Sequence, residues 1–573
     1  MQPLVRRARA SRAFATLVML LAVAVPGTSS AARPSPTTTN IDWPSYGNDL
    51  ANTRFQNVDQ INPTTVAQLQ PAWIFHTGVN DKKASLEVSP IEIGGTLYVT
   101  DGHDDVFALD AASGTQKWAY KPQIPFGQIS LCCGRNNRGV AVGDGKVFLA
   151  RLDNVVVALD ATTGNVAWQT TVADVSAGDS MTLAPLFVDG LVIVGLAGGE
   201  FQVRGEVIAL DAKTGHVVWR FFTTQPGTWT DDSFLGGGAT VWETAAVDSG
   251  LGLLYVNTGN AAPDLNGIFR AGQNHWTTSI IALDLKTGAF VWGFQDVHHD
   301  IWDYDSAQPP ILFDGVHNGQ TYAGVGNCSK NGNYYILDRR TGQPIFPVTE
   351  TPVPSTQPAW QHPWPTQPVS SVEPLTPLSI QPGTVPSNVT TAPQYTPPQQ
   401  TPLVIIPGDD GGCEWPPGAF SPRTHFVYYG TRYEPAEFQT FPNNTTGIAS
   451  TFSSVQGAKN YGIFGATDVN SGKVVWKDAV DQPTKSGVSV AGDLAFFGES
   501  NGKFHAANAA TGQILWTFNG TSVPGGGGAN ASPSIYEVNG REFVVNAFGG
   551  NVPDQEFGSV TGDAIIAFAL PTP

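Results

Sequence analysis

Ala158-Leu159-Asp160-Ala161-Thr162-Thr163-Gly164-Asn165-Val166-Ala167-Trp168 is one copy of a pattern that the chain repeats. Written A-x-D-x-x-[ST]-G-x-x-x-W, the pattern recurs at Ala108–Trp118, Ala209–Trp219, Ala282–Trp292 and Ala466–Trp476. A variant with Asn508 in place of Asp spans Ala506–Trp516, and another runs from Ile336 to Phe346. An apolar strand such as Val155-Val156-Val157 precedes the unit, Asp and Thr-Gly turn the chain tightly, and a strand ending in Trp returns. The indole is large and rigid enough to dock between neighbouring sheets, which makes these tryptophans structural. β-units that cannot bury their faces alone stack on one another, radially in a propeller. Seven copies, with unmarked strands at the two ends, predict an all-β, eight-bladed β-propeller with tryptophan-docking motifs.

Copies lie near fifty residues apart at first, and the interval then widens. After Phe346 comes Thr349–Pro407, dense in Pro, Thr, Gln and Ser, which reads either as a linker between two domains or as an irregular loop across one face. The repeat resumes at Ala466, so the loop is preferred and residues 41–573 are expected to form one propeller. Composition agrees with many short strands, since the 573 residues include 63 Gly, 15 Trp and only 30 Lys plus Arg. A net charge of −18 excludes nucleic acid and anionic membrane surfaces as partners and suits a basic electron-transfer partner. No Rossmann fingerprint, phosphate loop or CxxCH haem motif occurs.

Arg6, Arg7, Arg9 and Arg12 precede an apolar run from Ala13 to Val25 and then small residues to Ala32, the form of an export signal. The run is too short to span a bilayer comfortably. Residues 1–31 are expected to be removed, near Ala31 or Ala32, leaving a disordered lead over 32–40 and no transmembrane segment in the mature chain. A periplasmic or extracellular location is oxidising, so the four cysteines are expected to pair. Two are adjacent, in Leu131-Cys132-Cys133-Gly134-Arg135-Asn136-Asn137-Arg138-Gly139. They are either free or separately paired neighbours, or a disulfide ring closed through their own peptide bond, a strained arrangement of the kind that persists where a site uses it. Cys328 and Cys413 remain, and sequence alone does not establish a bridge between them.

Cys132-Cys133-Gly134 followed by Asn137-Arg138-Gly139 resembles the vicinal-disulfide motif of the pyrroloquinoline quinone (PQQ) dependent alcohol dehydrogenases, the methanol dehydrogenase-like quinoproteins. The docking repeat also marks that eight-bladed family, and the resemblance covers nearly the whole mature chain. It implies that the Cys132–Cys133 ring walls the PQQ site and that Arg138 contacts the quinone oxygens. By the same resemblance, Glu87 in Ser85-Leu86-Glu87-Val88-Ser89-Pro90 contacts PQQ, and Ala197-Gly198-Gly199 lies at its edge, with Ala197 where the family has Ser. Thr240 and Trp242 match the segment whose indole lies flat under PQQ. Lys330 stands where the family has Arg or Lys at the reactive oxygens, where a cation stabilises charge that develops on reduction.

Metal ligands follow from the same segments: Glu200, Asn260 in Thr258-Gly259-Asn260, Asp303 and Asp305. His298-His299-Asp300-Ile301-Trp302-Asp303-Tyr304-Asp305 resembles the family's His-Asp-x-Trp-Asp, whose last Asp, here Asp303, is the general base; His298 and His299 are read as structural. On an extended stretch residues two apart point the same way, so Asp303 and Asp305 can both reach one metal. In the family an Asp at 305 marks lanthanide-dependent members, and added anionic oxygens favour a trivalent over a divalent ion. A lanthanide(III) is therefore expected, with calcium the alternative. Departures are Arg151 for a usual Thr, offered as a partner for a PQQ carboxylate, Glu414 for a usual Asn, and the loss of the tryptophan usual near residue 485.

The function implied is an exported PQQ- and metal-dependent alcohol dehydrogenase. Asp303 takes the hydroxyl proton, hydride passes to C5 of PQQ, and electrons leave to an external acceptor such as a cytochrome c. The competing readings are a non-enzymatic propeller scaffold, as in outer-membrane assembly factors, and a sugar dehydrogenase of the same cofactor class.

Overall fold

In the computed structural model, which describes residues 40–571 apart from 80, 444–450 and 484, six of the seven copies of the repeat are the closing hairpins of antiparallel sheets. Ala158 faces Trp168 across one such hairpin, and the register slips by one residue between Val166 and Trp168. That bulge turns the indole toward the next blade. The Trp118 indole N–H donates to Ala161 O at 3.0 Å, Trp168 to Ala212 O at 3.1 Å and Trp219 to Leu285 O at 3.2 Å. In each case the acceptor directly follows the Asp of the next copy. Gly164, at φ +74°, lies flat under Trp118, where a side chain would collide with the ring. The conserved spacing within the repeat is thus the geometry of one blade gripping the next.

Eight such sheets form among the described residues. Seven lie in sequence order, beginning with Ile91–Ile93, Val140–Gly143, Leu186–Val188, Ala246–Asp248, Ile311–His317, Ala419–Ser421 and Ser489–Ala491. The fifth has three strands, because Pro344, which has no N–H to give, leaves only an isolated bridge to Leu337. The eighth is shared by the two ends of the described chain: Ser534–Val538, Arg541–Phe548 and Ala564–Ala569 are completed by Gln70–His76. Trp73 there faces Ala567 as Trp168 faces Ala158, and its indole donates to Ala111 O at 3.2 Å. It is the eighth docking tryptophan, hidden from the repeat because its copy is split between distant segments.

Apolar clusters join every neighbouring pair of blades, from Trp118 with Val147 between the first and second to Phe504 with Phe568 and Leu109 across the seventh, eighth and first. The ring is therefore a closed β-propeller. The segment from Trp43 to Phe55 ties it further. Asn52 donates to Ala245 O and Pro310 O, both at 3.2 Å, Arg54 donates to Pro533 O at 2.8 Å, and Thr53 O accepts from Phe420 N at 2.8 Å. Residues 349–407 run between the fifth and sixth blades, and the strand Val348–Pro352 at their start pairs with Thr366–Ser370. The export signal expected over 1–31 and nearly all of the lead over 32–40 lie outside the described residues. No helix among the described residues is long and apolar enough to cross a membrane.

Candidate active site

One cavity of about 740 Å³ collects the loops that connect the blades. Cys132 and Cys133 are bonded to each other at its wall, and Cys328 is bonded to Cys413. Glu87, Arg138, Ala197, Gly198, Glu200, Thr240, Trp242, Asp303, Asp305 and Lys330 also line it. Asn260 and Gly199 stand just behind. Asn260 N–H donates to Asp305 Oδ1, and Gly199 packs so closely on Asn260 that a side chain at 199 would meet Oδ1.

Arg138 is the hub of one side. It is 3.0 Å from Glu87 and 3.3 Å from Glu243, donates to Thr182 Oγ1 at 3.1 Å, and its guanidinium lies 5.3 Å from the Trp242 ring and 4.6 Å from that of Trp415. Glu87 is fixed in turn by Asn551 Nδ2 at 2.5 Å and Asn136 Nδ2 at 3.2 Å.

Lys330 is the hub of the other, its Nζ 2.9 Å from Asp303, 2.8 Å from Asp305 and 3.6 Å from Glu414. Asp303 is held there by its own loop. Asp300 Oδ1 accepts from the N–H groups of Trp302 and Tyr304, both at 3.1 Å, and puts Asp303 at φ +63°. The aromatic side chains on either side are anchored on the Pro-rich passage, Trp302 to Thr396 O at 2.8 Å and Tyr304 to Pro407 O at 2.6 Å. His298 bonds Gln295 and Glu350, and His299 lies between Gly272 O and Gln361 O, so both hold structure. Arg151 is absent from the cavity wall and is paired with Asp153, which corrects its suggested role toward a carboxylate of the cofactor.

Burial, the largest influence, raises the Asp303 carboxyl well above its ordinary range; Lys330 opposes this, and Asp264, Asp305 and Glu200 add to it. Burial first, and then neighbouring carboxylates, raise Glu200 and Asp264 too. Burial works against the charge on Lys330 but is outweighed by Asp303, Asp305 and Glu414. As they stand, no three His, Cys, Asp or Glu side chains among the described residues close into a metal cage, since Lys330 takes two of the carboxylates. The donor chemistry nevertheless fits a hard cation. It is all oxygen from Glu200, Asp303 and Asp305, next to an Asn260 amide whose Nδ2 has no partner, and mutual repulsion of the carboxylates is what a cation relieves. The two indoles beside Arg138 and the disulfide wall suit a flat, anionic ring system.

Sequence reasoning did not single out several residues that complete the cavity. Trp415, Asp264 and Asn551 are lone residues in loops without a spacing signature, and Glu243, which backs Arg138, directly follows Trp242. Lys485 occupies the place of the missing tryptophan and pairs with Asp410 at 2.9 Å, while Asp410 also meets Arg432 at 3.2 Å.

Residues 43–462 match the family described as glucose/ethanol/alcohol dehydrogenase, beta-propeller domain, of the PQQ proteins. The chain belongs to the PQQ-dependent alcohol dehydrogenases. Residues 460–552 also match the outer membrane protein assembly factor BamB family. A quinohemoprotein alcohol dehydrogenase of Comamonas testosteroni is 32% identical over 547 residues, covering 89% of this chain and 72% of its own. A lanthanide-dependent methanol dehydrogenase of Methylacidiphilum fumariolicum (strain SolV) is 33% identical over 512 residues, covering 83% and 80%. Among solved structures, a europium-containing methanol dehydrogenase superposes with a TM-score of 0.78 at 29% identity over 92% of this chain and 98% of its own. As a member of this dehydrogenase family, the protein is an oxidoreductase acting on alcohols, and the scaffold reading falls away.

Proposed function

We propose that this cavity oxidises an alcohol to an aldehyde or ketone with PQQ and a lanthanide(III) ion, calcium being the alternative, and that the protein works after export and hands electrons to an external acceptor. Glu87, Cys132, Cys133, Arg138, Ala197, Gly198, Gly199, Thr240, Trp242 and Lys330 would hold the cofactor, and Glu200, Asn260, Asp303 and Asp305 the metal. PQQ, when bound, supplies the two-electron acceptor and the metal supplies Lewis acidity. Asp303 accepts the hydroxyl proton; Lys330 and the bound cation would favour its anionic form against the burial that raises it. Lys330 steers Asp303 from 2.9 Å and offers its charge to developing oxyanions. Trp242, Trp415 and the disulfide exclude water from the reacting face.

The observation that carries this reading is the meeting of Asp303 and Asp305 on Lys330 within a single cavity that also contains Glu200, Trp242 and the bonded Cys132–Cys133 pair. Dye-linked ethanol oxidation by protein incubated with PQQ and lanthanum, calcium or chelator tests it. Activity is expected with lanthanum and not with chelator. Activity with calcium alone would overturn the lanthanide assignment, and silence in all three would overturn the proposal.

A further inference from the structure

Resting on that reading, the charges of the cavity narrow the alcohol. Nine carboxylates and only three cationic side chains line it. Arg138 serves Glu87, Lys330 serves Asp303, Asp305 and Glu414, Lys485 serves Asp410, and Arg432 behind the wall serves Glu434. A trivalent ion on Glu200, Asp303 and Asp305 would neutralise those three. Asp264 and Asp409 are then left facing the cavity with no ion pair among the described residues.

Asp264 is 3% exposed, and its one hydrogen bond among the described residues is from the Leu265 N–H to Oδ1 at 2.8 Å. Its charge is felt by Asp303. Asp409 is half-buried and makes no ion pair among the described residues. Its turn lies directly on Lys330, whose carbonyl accepts from Gly412 N at 2.6 Å. Burial, and after it the charge of Asp410, pushes Asp409 up to about 7, against the opposing charges of Lys330 and Lys485. A carboxylate drawn out of water without an ion-pair partner is unfavourable, so Asp264, whose charge acts on Asp303, and Asp409 in the same cavity mark where a ligand's positive charge is received.

We infer that the substrate is a small alcohol carrying a cationic nitrogen, whose ammonium group is held by Asp264 and Asp409 while its hydroxyl faces Asp303. In the reaction the carbinol C–H bond breaks and its hydride carries two electrons to the quinone cofactor. The O–H proton passes to Asp303, a C=O bond forms, the nitrogen is unchanged, and the electrons leave to the external acceptor.

The test pairs (2-hydroxyethyl)trimethylammonium with 3,3-dimethylbutan-1-ol, which has the same shape without the charge. With the full chain loaded with PQQ and lanthanum, kcat/KM in the dye assay should favour the cation by on the order of tenfold, expressed in KM. Asp264→Asn and Asp409→Asn should each bring the ratio of the two kcat/KM values toward unity; the half-buried position of Asp409 keeps the test open if the Asp264 variant fails to fold. Equal kcat/KM for the two alcohols, or a ratio that no folded variant moves, overturns the inference and leaves alcohol oxidation in place. Turnover of neither alcohol nor ethanol by protein that retains PQQ and lanthanum overturns the reading beneath it.

Discussion

At Asp303 a carboxylate shares one ammonium group with Asp305, in a setting where burial and neighbouring acids resist its charge. If Asp303 is the proton acceptor, Asp303→Ala should reduce dye-linked turnover by about 10²–10⁴-fold while PQQ absorbance stays with the protein. Undiminished turnover would exclude the role. Glu92 illustrates a buried acid outside the site. Burial first, and Asp42 in addition, push it up to about 8 against an opposing hydrogen bond from Gly95 N–H at 2.6 Å. A raised carboxyl stabilises the fold fully below its ordinary value of about 4.5, and that stability is lost as the pH climbs through about 8. Glu92→Gln should therefore melt a degree or two higher than the parent at pH 8.5 and almost with it at pH 4.5; a gap independent of pH would contradict this. Residues of both kinds differ in how far sequence exposes them. Cys132, Arg138, Trp242 and Asp303 stand in short motifs with fixed neighbours and were legible. Asp264, Asn551 and Trp415 were not, because only the fold brings their loops to the cavity, and Arg151 was misplaced because its partner, Asp153, is two residues away in its own loop.

Among the elements, the docking hairpin carries the most. Trp219 is 8% exposed, packs among Leu283, Val256 and Val207, and donates one hydrogen bond to Leu285 O. Trp219→Phe removes that bond and should cost about 1 kcal/mol, whereas Trp219→Ala opens a cavity and should cost roughly 3–5 kcal/mol. Denaturant midpoints separate the two, and equal losses would deny the indole its packing role. The hairpin was readable because Asp, Gly and Trp each have a steric duty at a fixed offset. Trp73 performs the same duty unannounced, since the turn that should precede it lies elsewhere in the chain.

For the whole molecule, the clasp between Gln70–His76 and Ala564–Ala569 is the feature that makes a ring from a row of sheets. A chain ending at Asp563 should lose cooperative melting and fixed near-ultraviolet ellipticity, because the eighth blade is left without its third strand and Trp73 without its partner; a normal melt would show that the other contacts suffice. Closure has a price in time as well. Synthesis delivers Trp73 early and Ala567 nearly five hundred residues later, so the first blade waits with an apolar flank uncovered until that strand has emerged. A chain built this way depends on something to shelter that flank during the interval, which is the work of a holding chaperone.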